Sequence, residues 1–168
     1  IIRLMLLLKI KSLLYGHSGV TKETIARLQW HYNEDVVPVV YERGSLGASG
    51  DLAPLAHLSL PLIGYGTVRH KGAQKQTAEF LREAGLNPIR LQSKEGLSLL
   101  NGTQFMTAYG CWCLNEAKTL LKWADGITAM AMDGFKAKTE PFEPLIHQLR
   151  NASGQQQVAA NILSILAE

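Results

Sequence analysis

The chain has 168 residues, of which 46% are hydrophobic and 18% charged, and this balance excludes a disordered or low-complexity protein. The net charge of +3 is modest, and the basic residues are scattered without clustered aromatic side chains, so we expect no binding to nucleic acid. The length is sufficient for one domain with a substantial core.

Apolar periodicity and helix-end signals predict a mainly α fold. The expected helices cover residues 2–14, 21–33, 54–63, 77–84, 94–100, 103–133, 142–149 and 154–167. After the third of these, the stretch TVRHKGAQKQ (67–76) alternates around Lys71-Gly72 and predicts a small polar β-hairpin. No internal repeat or linker-like stretch is visible, so residues 1–168 are interpreted as a single piece.

Two segments are unusually apolar, Ile1–Leu14 and the uncharged run from Gly96 to Asn115. The second is long enough to suggest a membrane span, but it contains polar side chains that are costly in lipid. These are Ser98, Asn101, Thr103, Gln104 and Thr107. Both segments therefore predict helices that are buried in a bundle larger than this chain can easily build, and we expect no membrane partner.

The cysteines and histidines indicate neither a disulfide nor a metal site. Cys111 and Cys113 would point about 200° apart on a helix, so we expect free, buried thiols, as is typical of a cytoplasmic protein. No histidine has ligand spacing, and no metal is expected. His57 is interpreted as a structural residue outside any site. No signal peptide is visible, although the chain begins at Ile1 without a methionine.

The stretch GSLGASGDLAPL (44–55) places three glycines immediately before a predicted helix. It has no lysine after the last glycine, no G-x-G-x-x-G spacing and no G-x-S-x-G, so it is not a phosphate loop, a dinucleotide fingerprint or a nucleophile elbow. Glycine is costly to order, which indicates a backbone that needs unusual dihedral angles. In a tight enough bend, the amide nitrogen of Gly50 could reach the carbonyl carbon of Ala48 and close a ring.

The sequence Asn101-Gly102-Thr103-Gln104 interrupts a helical pattern with residues that prefer turns. It is either a simple helix break capped by Thr103 or a break that presents the Asn101 carboxamide to a ligand. Just before it, Lys94-Glu95 is either a solvated helix start or an ion pair that supports a site.

Three blocks of this chain closely resemble the aromatic amino-acid ammonia-lyases, and the resemblance runs over the whole chain. The blocks are LKIKSLLYGHSGV (8–20), GSLGASGDLAPLAHLSLPLIG (44–64) and KEGLSLLNGTQ (94–104). The GASGDLAPLAH stretch is most similar to the branch of the family that acts on histidine. The resemblance thus implies part of a large helical-bundle lyase that eliminates ammonia from L-histidine to give urocanate, a step of histidine catabolism.

The same resemblance implies a prosthetic group made by the chain itself. In this family an Ala-Ser-Gly triplet cyclises to a methylidene-imidazolone electrophile, and the matching residues here are Ala48, Ser49 and Gly50. No external cofactor and no metal would be needed. The electrophile is useful because an α-ammonium is a poor leaving group and a β-hydrogen is barely acidic. The helix that begins near 51–54 would direct its positive end at the ring.

Other residues match the family with smaller roles. Asn101 matches the asparagine that binds the substrate, and Glu95 and Gln104 match supporting positions. The family's N-terminal tyrosine loop, its later tyrosine and arginine and its C-terminal glutamate have no match here, so we expect an internal fragment that is inactive by itself. The family forms homotetramers whose active sites draw on three subunits, so the isolated fragment, with exposed apolar helices, is also expected to self-associate or misassemble.

Two alternatives remain open at this point. A tyrosine or phenylalanine ammonia-lyase, or an aminomutase with the same ring, would differ in residues outside this chain. A non-catalytic helical oligomerisation module would use the glycine-rich stretch merely as a turn.

Overall fold

The computed structural model describes residues 1–44 and 50–167. The α-helices in this part are α1 (Ile2–Leu14), α2 (Lys22–Asn33), α3 (Leu52–Ser59), α4 (Thr77–Glu83), α5 (Glu95–Leu100), α6 (Gln104–Gly134), α7 (Pro144–Gln148) and α8 (Ser153–Leu166). Short 3₁₀ helices occupy Leu60–Ile63 and Glu140–Phe142. The mainly α prediction is confirmed, and most predicted helix ends lie within one or two residues of the observed ones.

The strands form a small antiparallel sheet in which the middle strand pairs with a neighbour on each side. The predicted hairpin is confirmed as β2 (Thr67–His70) and β3 (Ala73–Gln76), which pair from Thr67 with Gln76 to His70 with Ala73. The sequence did not predict β1 (Val37–Pro38), which pairs with β2. Val36, Val68 and Phe80 are buried together beside this sheet.

Contacts divide the chain into two compact units, Ile1–Trp112 and Cys113–Glu168, and the division falls within α6. The interpretation of the chain as a single piece of one fold stays a prediction. The first unit contains the main core, which is built from α1, α2, α3, α5, the first turns of α6 and the segments between them. Its buried members are Met5, Leu6, Ile10, Leu13, Leu28, Leu55, Leu58, Leu62, Ile89, Leu99 and Ala108.

Local signals explain how several elements of the first unit begin and end. The Oγ1 atom of Thr21 accepts a hydrogen bond from the amide of Thr24 at 3.3 Å, which caps α2. Gly64 ends the 3₁₀ helix with a left-handed φ of 83°, a conformation that favours glycine.

The second unit consists of the later part of α6 with α7 and α8, and α7 packs against α8. Asn161 donates a hydrogen bond from Nδ2 to Oδ2 of Asp125 at 2.8 Å, which ties α8 to α6. Large apolar side chains stay exposed here, among them Trp123 and Phe135. Such surface is typical of a segment that packs against further protein.

One expectation about α6 is wrong for this chain. Cys111 and Cys113 are free, as predicted, but both are exposed rather than buried. Every side chain from 110 to 124 is exposed. The apolar composition of this run did predict a helix, but burial depends on partners that the described residues do not supply.

No helix in the described ranges has the length and apolar character that a membrane span requires. Within residues 1–44 and 50–167, no group of His, Cys, Asp and Glu side chains is arranged to hold a metal ion.

Candidate functional site

The glycine-rich stretch is described only from Gly50 onward. Ala48 and Ser49, the other two predicted ring residues, lie outside the described residues. Gly50 has a left-handed φ of 75°, and a Cβ at this position would meet no atom of the described residues within 4 Å. This backbone conformation by itself favours glycine. The ring closure itself stays a prediction.

Asp51, the next residue, is buried at the N-terminus of α3 without capping that helix by its side chain. Its carboxylate is directed elsewhere: Oδ2 accepts a hydrogen bond from the backbone amide of Met106 at 3.1 Å. Met106 lies in the first turn of α6, where backbone amides lack partners within the helix. Asp51 therefore caps α6 from 55 residues away in the sequence. Sequence reasoning missed this contact.

Lys9 is a second charged residue that the sequence analysis did not place in the site. It lies in α1, its side chain is only 1% exposed, and Nζ donates hydrogen bonds to the carbonyl oxygens of Ser98 at 3.3 Å and Asn101 at 3.1 Å. Burial lowers the pKa of Lys9 to about 8, and the attraction of the Asp51 carboxylate opposes part of this shift. The available signal was a lysine within the apolar run LMLLLKI.

The predicted helix break at Asn101 is confirmed. Asn101 ends α5 in an extended conformation with an exposed side chain, and α6 begins at Gln104. Between them Gly102 has a φ of 153°, and a Cβ at this position would collide with the Gln104 side chain. The exposed carboxamide of Asn101 is free to meet a ligand, whereas its backbone carbonyl is held by Lys9. That it binds a substrate stays a prediction.

Glu95 has a different environment from either of the two expected. It is buried, and its partners are hydrogen-bond donors rather than Lys94, whose side chain is exposed. Oε1 accepts from the amide of Thr21 at 2.6 Å and from Oγ1 of Thr24 at 2.8 Å, and Oε2 accepts from the amide of Gln92 at 2.6 Å. Both interpretations of Lys94-Glu95, the solvated start and the ion pair, are therefore wrong.

The donors around Glu95 determine its protonation. Burial by itself would raise the pKa of this carboxyl group, but the bonds from Gln92, Thr21 and Thr24 outweigh it and lower the pKa to about 2. Glu95 is thus ionised at neutral pH, and it ties the first turn of α2 to the first turn of α5. Its position at the opposite end of α5 from Asn101 indicates support of the scaffold.

Gln104 begins α6 with its side chain half-buried. Its Oε1 atom is buried and has no hydrogen-bond partner among the described residues. The side chain also lines an open pocket of about 240 Å³ together with Leu8, Ser12 and Tyr15 of the α1 region. An unpaired buried acceptor of this kind is ready to receive a donor from a further group.

The structure therefore brings all three sequence blocks together, in part through charged residues that the sequence analysis passed over. Asp51 joins the glycine-rich stretch to α6, and Lys9 joins α1 to the Asn101 break. His57, which the sequence analysis left outside the site, packs edge-on against Tyr41 with the ring centroids 5.1 Å apart.

Comparisons with known proteins show the family to which the chain belongs. A family model described as aromatic amino acid lyase matches residues 1–168. A histidine ammonia-lyase of Symbiobacterium thermophilum is 48% identical over 162 residues, which cover 96% of this chain and 32% of that protein. The chain thus spans about a third of the length of the curated relatives it matches.

Solved structures of the family share the fold. The phenylalanine aminomutase of Pantoea agglomerans matches with a TM-score of 0.92 and 37% identity, over 99% of this chain and 32% of that one. The histidine ammonia-lyase of Trypanosoma cruzi matches with a TM-score of 0.88 and 38% identity, over 95% of this chain and 32% of that one. Since the family model matches the chain from its first residue to its last, the chain belongs to the aromatic amino acid lyase family.

Proposed function

We propose that the chain is part of an ammonia-lyase that converts L-histidine to urocanate and ammonia. The observation that carries the proposal is the triplet Ala48-Ser49-Gly50 directly before Asp51, in a chain that is 48% identical to a histidine ammonia-lyase. Asp51, the residue after the triplet, accepts a hydrogen bond from Met106 in the first turn of α6, which follows the α5–α6 break that contains Asn101. The two family motifs thus lie on elements that contact each other.

The three residues of the triplet would form the prosthetic group without another enzyme. The amide nitrogen of Gly50 attacks the carbonyl carbon of Ala48, and two waters leave, one of which carries the hydroxyl of Ser49. Gly50 has a left-handed φ of 75°, which glycine adopts without the strain that a side chain would cause. The resulting methylidene-imidazolone supplies an electrophilic carbon that activates the substrate for loss of ammonia.

The described residues around Gly50 would assist by electrostatics. Because the Asp51 carboxylate is turned toward Met106 and does not cap α3, the positive end of α3 stays available to the residues just before it. That end favours negative charge that develops near Gly50. The carboxamide of Asn101 would hold the substrate by hydrogen bonds, with Gln104 and Glu95 in supporting roles.

The remaining parts of the site would come from elsewhere in a longer protein. This chain spans about 32% of the length of its relative, and the residues that act as base, bind the carboxylate and select the substrate ring are expected outside it. We place the full-length protein in the cytoplasm as a homotetramer with L-histidine as its substrate. The 168-residue piece by itself is expected to be inactive, because the catalytic groups must be held close together.

The first test is made on the full-length protein with L-histidine, L-tyrosine and L-phenylalanine supplied separately. We expect near-UV absorbance to rise with L-histidine alone, as urocanate forms.

Ser49→Ala should remove nearly all turnover and leave assembly intact, while Ser164→Ala, at an exposed position of α8, should keep wild-type activity. Near-normal turnover in Ser49→Ala would refute the ring mechanism.

A second outcome has support from the structural matches. The phenylalanine aminomutase of Pantoea agglomerans has the same fold over 99% of this chain. A rise in near-UV absorbance only with L-tyrosine or L-phenylalanine, or formation of a β-amino acid, would therefore support the ring but indicate a different substrate or reaction. Product analysis by mass spectrometry separates these results. Absence of both turnover and the ring's own absorbance would favour the oligomerisation module.

A further inference from the structure

Lys9 is a buried cation in the largely apolar helix α1. It is 1% exposed, and its neighbours along the buried side of α1 are Met5, Leu6 and Leu13. Removing an ammonium group from water costs several kcal/mol unless hydrogen bonds and opposite charge compensate it. A position that only had to fill the core would be served better by leucine or methionine.

The contacts of Lys9 are concentrated on one short segment. Nζ donates to the carbonyl oxygens of Ser98 and Asn101, at the C-terminal end of α5. Carbonyl groups in the last turn of a helix have no partner within the helix, and this end carries partial negative charge. Lys9 therefore satisfies the end of α5 from another helix, across 92 residues in the case of Asn101.

The start of α6, on the other side of the break, is also held by a charged side chain from a distant part of the chain. The Asp51 carboxylate accepts the amide of Met106 in the first turn of α6. The break at 101–103 thus lies between a cation on its α5 side and an anion on its α6 side, and these two charges attract each other. Gly102 lies between them with a backbone that other residues rarely adopt, so local chain preference alone would not hold this conformation.

We propose that Lys9 is a positioning residue of the reaction: its hydrogen bonds to the carbonyls of Ser98 and Asn101 fix the break that presents the Asn101 carboxamide to the substrate. This inference rests on the function proposed above. The side chain of Asn101 is exposed, so its direction depends on where the backbone is held. Small displacements of such a group are costly in rate.

The test is a double-mutant cycle in the full-length protein. Lys9→Met keeps the length and fills the core but cannot donate to the two carbonyls, and Asn101→Ala removes the carboxamide. We expect Lys9→Met to lower kcat for L-histidine about 10- to 100-fold. In the Asn101→Ala background the same change should lower kcat by no more than about twofold, because residues that act through one another are not additive.

Two further readouts separate positioning from general damage. Backbone amides in a peptide covering 99–106 should exchange hydrogen faster in Lys9→Met, while the ring absorbance, assembly and the exchange of α8 stay as in the wild type. Lys22→Met, at an exposed position in the first turn of α2, is the matched control and should leave kcat and exchange unchanged.

The outcomes are distinguishable. An active wild type with unchanged kcat in Lys9→Met, or equal losses of kcat with and without Asn101, would overturn the role of Lys9 alone. A wild type without turnover of any amino acid would overturn the proposed function as well. If Lys9→Met does not assemble, the same cycle is run with Lys9→Arg, which retains donors and charge. A smaller, non-additive loss supports the proposal, and an additive loss overturns it.

Discussion

The carboxylate of Asp51 accepts a hydrogen bond from the backbone amide of Met106 at 3.1 Å, so the residue that precedes α3 caps the start of α6. The same carboxylate attracts the buried ammonium group of Lys9. One side chain therefore stabilises both a helix end and a buried charge. Removing it should affect stability more than the loss of an ordinary surface carboxylate would.

Asp51→Ala is expected to lower the free energy of unfolding by about 3 kcal/mol, because it leaves the Met106 amide without an acceptor and Lys9 without its opposite charge. Asp51→Asn keeps an acceptor and loses the charge, so it should cost less. Thermal unfolding midpoints of the full-length protein, compared at one fixed concentration, measure both effects. The control is Asp133→Ala, at an exposed position of α6, the helix that Asp51 caps. It should change the free energy of unfolding by no more than about 0.5 kcal/mol. Equal midpoints for Asp51→Ala and Asp133→Ala would contradict the assignment.

Glu95→Gln replaces a buried carboxylate that accepts three hydrogen bonds. The NH₂ group of the new amide cannot accept a hydrogen bond, so it would face at least one of these donors and leave that donor without an acceptor. The free energy of unfolding should therefore fall by about 1–3 kcal/mol. Glu116→Gln, at an exposed position of α6, is the matched control. An unfolding midpoint in Glu95→Gln that equals this control would show that the buried contacts contribute nothing.

The same substitution should also change the pH dependence. The folded-state pKa of Glu95 is lowered from 4.5 to about 2. Its stabilising contribution is therefore complete above pH 4.5 and is lost as the pH falls through about 2. Wild-type and Glu95→Gln stability should converge over this interval. A difference between them that stays constant down to pH 2 would contradict the shift.

His31 produces a separate acid sensitivity. Its ring is buried against Trp30, and Nδ1 lies 3.2 Å from the carbonyl oxygen of Val36. Burial lowers the pKa of His31 to about 4; the Val36 carbonyl opposes this and the charge of Arg27 adds to it. Between pH 6.5 and about 4 the unfolded chain takes up a proton that the folded chain does not, so stability falls as the pH falls.

His31→Phe should remove about 3 kcal/mol of this pH-dependent loss. The measurement is the free energy of unfolding at pH values across that interval, with the exposed His17 changed to Gln as control. If His17→Gln flattens the profile and His31→Phe does not, the sensitivity belongs to another group.

Gly64 lies close to the ring of Pro88, and substitution by alanine tests how much this close approach matters. It has a φ of 83°, and a Cβ at this position would lie 2.8 Å from Cγ of the Pro88 ring. Gly85 has a similar φ of 68°, and a Cβ there would have no atom of residues 1–44 or 50–167 within 4 Å. Gly85→Ala should therefore cost only the backbone strain of about 1 kcal/mol, and Gly64→Ala about 2–3 kcal/mol because Pro88 must also move. Equal losses in the two variants, measured from unfolding midpoints, would show that the Pro88 contact is unimportant.

Local features of the fold were predictable from particular residues. The alternation of TVRHKGAQKQ around Lys71-Gly72 predicted β2 and β3, and Asn101-Gly102 predicted the break between α5 and α6. These features depend on residues close in sequence, whose conformational preferences act before any tertiary contact forms. The two-residue strand β1 was missed because it is too short for a pattern and exists only by pairing with β2.

The sequence by itself determined the helices, the hairpin, the glycine-rich stretch and the family motifs, since these depend on spacing along the chain. Only the tertiary structure decided that Glu95 is buried, that Asp51 caps α6 and that Lys9 holds the end of α5. These contacts join residues that are 55 to 92 positions apart. A charged side chain looks the same in a sequence whether it is solvated or paired, and its role is set by the donors and acceptors that folding brings to it.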